Sequence, residues 1–185
     1  MLKHVLSGTI AALVLTTSSV LAKDAPMPAP AIPAEVAQVA YFVGTWHCSG
    51  KGFAMPMSPE HATTGTVHAA MAAGGRWLHT TYDEDKTAAN PTPYHIGLYT
   101  GYDSAKKQFA QSSFDTMGGY ATQTGTGWNG DVMVFEGSAN GMPESMGVRD
   151  TFTKKGASEF MHTGEMQGAD KKWMKTDEET CKKGK

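Results

Sequence analysis

The distribution of apolar positions changes character twice along this chain. Val5 to Leu15 is a mostly apolar run, preceded by Lys3 and His4 and followed by polar Thr16-Thr17-Ser18-Ser19. Val20-Leu21-Ala22 comes next, with compact residues where a signal peptidase reads. This three-part layout predicts a cleaved secretory signal peptide over residues 1–22. The run is well short of the roughly 20 apolar residues that a membrane-spanning helix needs. No Cys follows Ala22 to carry a lipid, so no stable membrane anchor is expected. Residues 23–33 contain Pro26, Pro28, Pro30 and Pro33 and read as an extended Pro/Ala-rich leader.

From Ala34 to Phe42 the spacing predicts a short helix. Pro33 suits its N-terminal position, Val36, Val39 and Ala40 share a face, and Gly44 ends it. Beyond Gly44 the chain turns to short strand-like runs divided by turn residues. Strands are predicted at 45–53, 63–72, 76–83, 94–102, 108–115, 120–127, 131–138, 147–154, 158–167 and 172–181. The breaks carry explicit turn chemistry, among them Gly74-Gly75, Asp103-Ser104, Gly118-Gly119, Asn129-Gly130 and Asn140-Gly141. About ten hairpin-linked strands predict an all-β, antiparallel, up-and-down sheet. Closure into a barrel hides its edges most economically, and a two-sheet sandwich is the competing arrangement. Residues 34–185 are therefore read as one barrel domain.

Charge narrows the partners. The chain carries 16 Lys and Arg against 18 Asp and Glu, and arginine occurs only as Arg76 and Arg149. Without a clustered basic surface, nucleic acid is not expected as a partner. The acidic runs Asp83-Glu84-Asp85 and Asp177-Glu178-Glu179 read as solvated turns, since adjacent side chains splay apart. The chain's two Cys are Cys48, in the first predicted strand, and Cys181, at the end of the last. In an exported protein such a pair predicts one disulfide, here fastening the seam of the barrel. Periplasmic or secreted localisation is expected on the same grounds.

Four blocks carry a resemblance. These are Phe42-Val43-Gly44-Thr45-Trp46, Gly74-Gly75-Arg76-Trp77-Leu78, Gly97-Leu98-Tyr99-Thr100-Gly101-Tyr102-Asp103, and Trp173 with the later Glu179-Thr180-Cys181-Lys182-Lys183. The first resembles the Gly-X-Trp opening of calycins. Together they resemble DUF1579, a bacterial family of exported proteins of unknown function, over nearly the whole chain after residue 22. The resemblance implies a calycin or lipocalin-like barrel and no established activity. Nitrobindin-type haem barrels share the Gly-X-Trp opening, which gives a more distant similarity.

The chemistry of a known enzyme is missing from the sequence. It has no Gly-X-Ser-X-Gly elbow, His-Glu-X-X-His, Cys-X-X-Cys or phosphate loop. The expectation is a non-enzymatic protein without a bound cofactor, holding a small, partly apolar molecule in the barrel. Trp46, Met71, Trp77, His79 and Met133 are the candidate lining residues, the mixture common in ligand pockets. His79 lines the interior only if the face shared by Trp77, His79 and Thr81 points inward, and both faces of that strand carry apolar groups. His47, His68 and His95 read as exposed strand positions. The alternative is a protein that handles haem or copper. Haem ligation is opposed by the absence of His from 168–172, leaving His162 nearest. Copper would call on Met55, Met57 and His61, or on Met142 and Met146, but no compact run supplies three or four ligands. The sequence leaves the oligomeric state open.

Overall fold

The structure is a computed structural model and describes residues 29–55, 58–141 and 145–184. Residues 1–30 and 31–185 separate into two units. Only Ala29 and Pro30 of the first are described, so the predicted signal peptide and most of the leader lie outside the described residues. The helix and every strand belong to the second unit.

Ala34–Phe42 forms a helix of 3₁₀ type that buries Val36, Val39 and Phe42. The ten strands are β1 Gly44–Gly52, β2 His61–Ala72, β3 Trp77–Glu84, β4 His95–Asp103, β5 Gln108–Asp115, β6 Tyr120–Gly125, β7 Val132–Asn140, β8 Met146–Lys154, β9 Glu159–Gln167 and β10 Trp173–Lys183. Each lies within two residues of its predicted span at both ends. Every strand pairs antiparallel with its sequence neighbours, and β1 pairs with β10 to close the barrel. The sandwich is thereby excluded. No helix among the described residues is long and apolar enough to cross a membrane.

The seam joins Cys48 to Cys181. The two residues face each other in the β1–β10 register with Cα atoms 3.9 Å apart, and their sulfurs form a disulfide. Both point inward and are buried.

The barrel interior divides along its axis. One end is filled by Trp46, Phe109, Met133, Phe135, Phe152 and Phe160 beneath the 3₁₀ helix. The Trp46 indole donates to Phe42 O at 2.7 Å, tying the first strand to the helix. Tyr41 donates to Gly156 O and Glu159 O across the same end. Gln38 accepts from the Trp128 backbone N–H through its side chain and from the Trp128 indole through its carbonyl. Small barrels are commonly filled in this way by their own side chains. Gln38→Ala removes one of the two acceptors and strands a half-buried N–H, so a loss of about 1–2 kcal/mol is expected in urea unfolding. An unchanged midpoint would show that water replaces the amide.

Candidate functional site

The opposite end is bounded by the loops after β1, β3, β5, β7 and β9, and no helix among the described residues covers it. Many of its inward-facing residues are polar, beside apolar ones such as Leu98 and Val148, which share a strand face with Thr100 and Asp150. Side-chain alternation explains how they arrive there: once Phe109, Phe160 and Cys181 point inward at the packed end, residues two and four positions along each strand point inward as well. That rule brings in Gln111 and Ser113 on β5, His162 and Gly164 on β9, and Glu179 and Asp177 on β10.

A continuous chain of hydrogen bonds crosses this half. The Thr100 hydroxyl donates to Gln111 Oε1 at 2.9 Å, and Gln111 Nε2 donates to Gln123 Oε1 at 3.0 Å. Gln123 Nε2 then donates to Asp150 Oδ2. Asp150 Oδ1 accepts from His162 Nε2 at 2.9 Å, while His162 Nδ1 lies 3.0 Å from Asp177 Oδ1. The Thr176 hydroxyl completes the chain on Asp177 Oδ2. With a carboxylate on each nitrogen, His162 carries both ring hydrogens. Burial alone would lower its pKa, but the Asp177 charge and the bonds to Asp150 and Asp177 outweigh that and hold it well above the usual value. Burial would raise Asp177 in turn, yet the imidazolium holds it below the ordinary carboxylate range.

Two further groups adjoin this chain. Tyr82, on β3, donates across the barrel to Glu179 Oε1 at 2.7 Å. The bond is possible because β2 carries Gly65, where a Cβ would stand 2.7 Å from the Tyr82 ring. Burial raises the Glu179 pKa, and burial together with the Glu179 charge raises that of Tyr82. At the rim, Glu84 receives His61 Nε2 at 3.2 Å, Asn90 Nδ2 at 2.8 Å and the Tyr94 backbone N–H at 2.8 Å, so one carboxylate ties down the loop between β3 and β4.

These positions correct the expectation that both acidic runs are solvated turns. Glu84 and Glu179 are each only 6 % exposed. Asp177 and Glu179 alternate with Glu178, so the first two share the inward face while Glu178 meets Lys175 outside. Periodicity extended backward from Cys181 would have found the pair.

The candidate lining residues do not share one chamber. Trp46 and Met133 are fully buried in the packed apolar end, and Met71 packs against that core. Trp77 and His79 lie instead on the outer face, correcting the expectation that they reach the interior. Leu78 between them is the buried residue of β3, while Trp77 is 38 % exposed. His79 stacks on exposed Tyr99 with ring centres 4.6 Å apart, and with His68 it borders a shallow outer groove of about 340 Å³. His68 bonds Thr45 and His95 bonds Asp83 on that same outer face.

The His162 geometry does not suit haem ligation. Both His162 nitrogens are held by carboxylates, leaving no lone pair directed at an iron. Met57 and Met142 lie outside the described residues. Among the described His, Cys, Asp and Glu residues, Cys48, Glu179 and Cys181 form the one group of three with ligand atoms within 4.8 Å of one another, and its two sulfurs are joined as a disulfide.

Comparison with solved structures places the barrel among known folds. The crystal structure of the M. tuberculosis protein Rv2717c superposes with a TM-score of 0.64 at 14% identity, covering 84% of this chain and 100% of that one. At such identity the likeness concerns the fold alone. No match was found among curated proteins. A family model, described as a protein of unknown function, matches residues 33–183, which span the helix and all ten strands. The chain therefore belongs to the DUF1579 family.

Proposed function

We propose that this protein is a non-catalytic, exported barrel that binds a small, partly apolar molecule at the polar end of its interior. The observation that carries the proposal is the segregation of the barrel. One end is closed by the 3₁₀ helix and packed with aromatic side chains, whereas the other gathers buried hydrogen-bonding groups beneath loops. Ligand sites combine apolar walls with a few converging polar groups. Leu98 on β4 and Val148 on β8, two residues from inward-facing Thr100 and Asp150, supply the apolar part. Export rests on the N-terminal sequence pattern and agrees with the buried disulfide.

A small-fragment screen read by NMR tests this function. Binders with micromolar affinity, about −8 kcal/mol, should shift the side-chain signals of Gln111, Gln123, Tyr82 and His162 in a saturable way. The Trp46 and Trp128 indole signals should stay in place. Saturable shifts confined to the packed end or the outer groove would overturn the proposal, as would a screen without binders.

A further inference from the structure

We propose that the outer wall of the barrel carries a separate binding site, a groove that takes a neutral carbohydrate against the His79–Tyr99 ring pair. This site lies outside the barrel and is independent of the binding proposed for its polar end.

The groove follows from the register of three strands. It holds about 340 Å³ and is bordered by Gly44, Thr45, His68, Ala70, His79 and Thr81. Thr45 on β1 stands opposite His68 on β2, while on β3 Thr81 stands opposite His68 and His79 opposite Ala70. Gly44 and Ala70 keep the floor low, and the imidazoles rise beside it. The groove also offers hydrogen-bonding groups. Thr45 Oγ1 engages His68 Nδ1 at 3.1 Å, a bond that leaves His68 Nε2 unused. Among the described residues, Thr81 Oγ1 and the ring nitrogens of His79 have no hydrogen-bond partner.

Open aromatic faces adjoin the groove. His79 stacks on Tyr99 with the ring planes 24° apart, and Tyr99 is 45 % exposed. Two residues along β3, Trp77 lies on Gly101 of β4, where three of its ring carbons stand 2.6–2.8 Å from the place of a Cβ. Such nearly equal distances lay the indole face-down on the sheet, with its other face turned outward. Any side chain at Gly101 would lift it away. On the other side of Tyr99, nothing lies within 4 Å of a Cβ built on Gly97, so the surface stays open. The two ring platforms are about 7 Å apart along the strands. Aromatic faces attract polarised C–H groups, and a sugar ring presents C–H groups on its faces and hydroxyls around its edge. Hydroxyl and imidazole groups, which both donate and accept, suit those hydroxyls.

Charge selects the class of ligand. Strands β2 to β6 contain no Lys or Arg. The carboxylates at their outward positions are Asp83 and Asp103, which meet His95 and Lys106. The outward positions of β8 to β10, by contrast, carry Arg149, Glu159, Glu165, Glu178 and Lys182. An anionic ligand would find no guanidinium or ammonium in the groove, and a cationic one no carboxylate. A wholly apolar partner would strip water from the Thr81 hydroxyl and the His79 nitrogens without replacing its hydrogen bonds, which is costly. A neutral, polyhydroxylated molecule meets both conditions.

Titration with cellotriose, maltotriose and triacetylchitotriose, all neutral, and with anionic trigalacturonate tests the assignment, read by the NMR signals of Thr81, Tyr99 and the Trp77 indole. At least one neutral trisaccharide should shift these signals saturably, and trigalacturonate should bind at least about tenfold more weakly. His79→Ala and Trp77→Ala should each weaken that trisaccharide severalfold, with little change in thermal midpoint, because both side chains stand on the outer face. Thr81→Val, which keeps the shape and removes the hydroxyl, should weaken it as well. Silence of all three neutral sugars overturns the assignment, as does tighter binding of trigalacturonate or undiminished binding to His79→Ala and Trp77→Ala alike. Shifts of the same signals with protein concentration, accompanied by a dimer in sedimentation, overturn it in favour of a second copy of the chain. Sugar-induced shifts confined to Gln111 and His162 overturn the outer site and leave binding at the polar end intact, which the fragment screen decides separately.

Discussion

Replacing His162 with Leu should destabilise the folded protein by about 3–5 kcal/mol at neutral pH. The substitution leaves Asp150 and Asp177 facing each other with no positive charge between them, and each is at most about a third exposed. The pH dependence identifies the cause. In the wild type, the raised His162 pKa contributes stability that is complete below about 6.5 and is lost as pH rises through the folded-state value. The lowered Asp177 pKa contributes stability present above about 3.8 and lost as pH falls through its folded-state value. The wild type should therefore weaken in both directions from a broad optimum. In the variant, repulsion raises the carboxyl pKa values, so stability should climb as pH falls from 7 toward about 5. Urea midpoints across that range read the difference. A gap between the two proteins that does not change with pH would mean that lost packing against Phe152, 4.9 Å from the His162 ring, explains the effect and that charge does not.

Removing the disulfide should have an effect of comparable size. Cys48 and Cys181 close a loop with a sequence separation of 133. In the chain-entropy model a loop of that length is worth about 5 kcal/mol, and in a domain of this size that lowers Tm by roughly 10–20 °C. Cys48→Ala/Cys181→Ala should show this drop while keeping a β-type circular dichroism spectrum, because the β1–β10 ladder still closes the barrel through the register from Trp46–Lys183 to Gly52–Asp177. Since both sulfurs are buried, reduction of the native protein by a dithiol should be slow and should accelerate sharply near the unfolding midpoint. Rapid reduction under native conditions would mean that the seam opens without global unfolding.

The strands, their order and the closing disulfide were legible along the chain because each depends on local signals. Turn residues set where strands end, a hairpin connection sets antiparallel neighbours, and cysteines in the first and last strands meet only if those strands pair. The candidate site was legible in smaller part. His162 was singled out only as the histidine nearest the last strand, and Trp46 and Met133, expected to line a pocket, are interior but lie in the packed end. The facing of β3 was not legible, since Trp77-His79-Thr81 and Leu78-Thr80-Tyr82 both mix apolar and polar groups. Only closure of the barrel decides between them. Leu78 then joins the packed end and Tyr82 reaches Glu179, its partner 97 residues away. The acids were misread for the same reason. A carboxylate in an acidic run looks solvated until the fold supplies a buried partner, and the partners of Asp177 and Glu179 come from neighbouring β9 and from β3 on the far side of the seam. Period-two alternation specifies that two faces exist, whereas burial with long-range hydrogen-bond satisfaction determines which one faces inward.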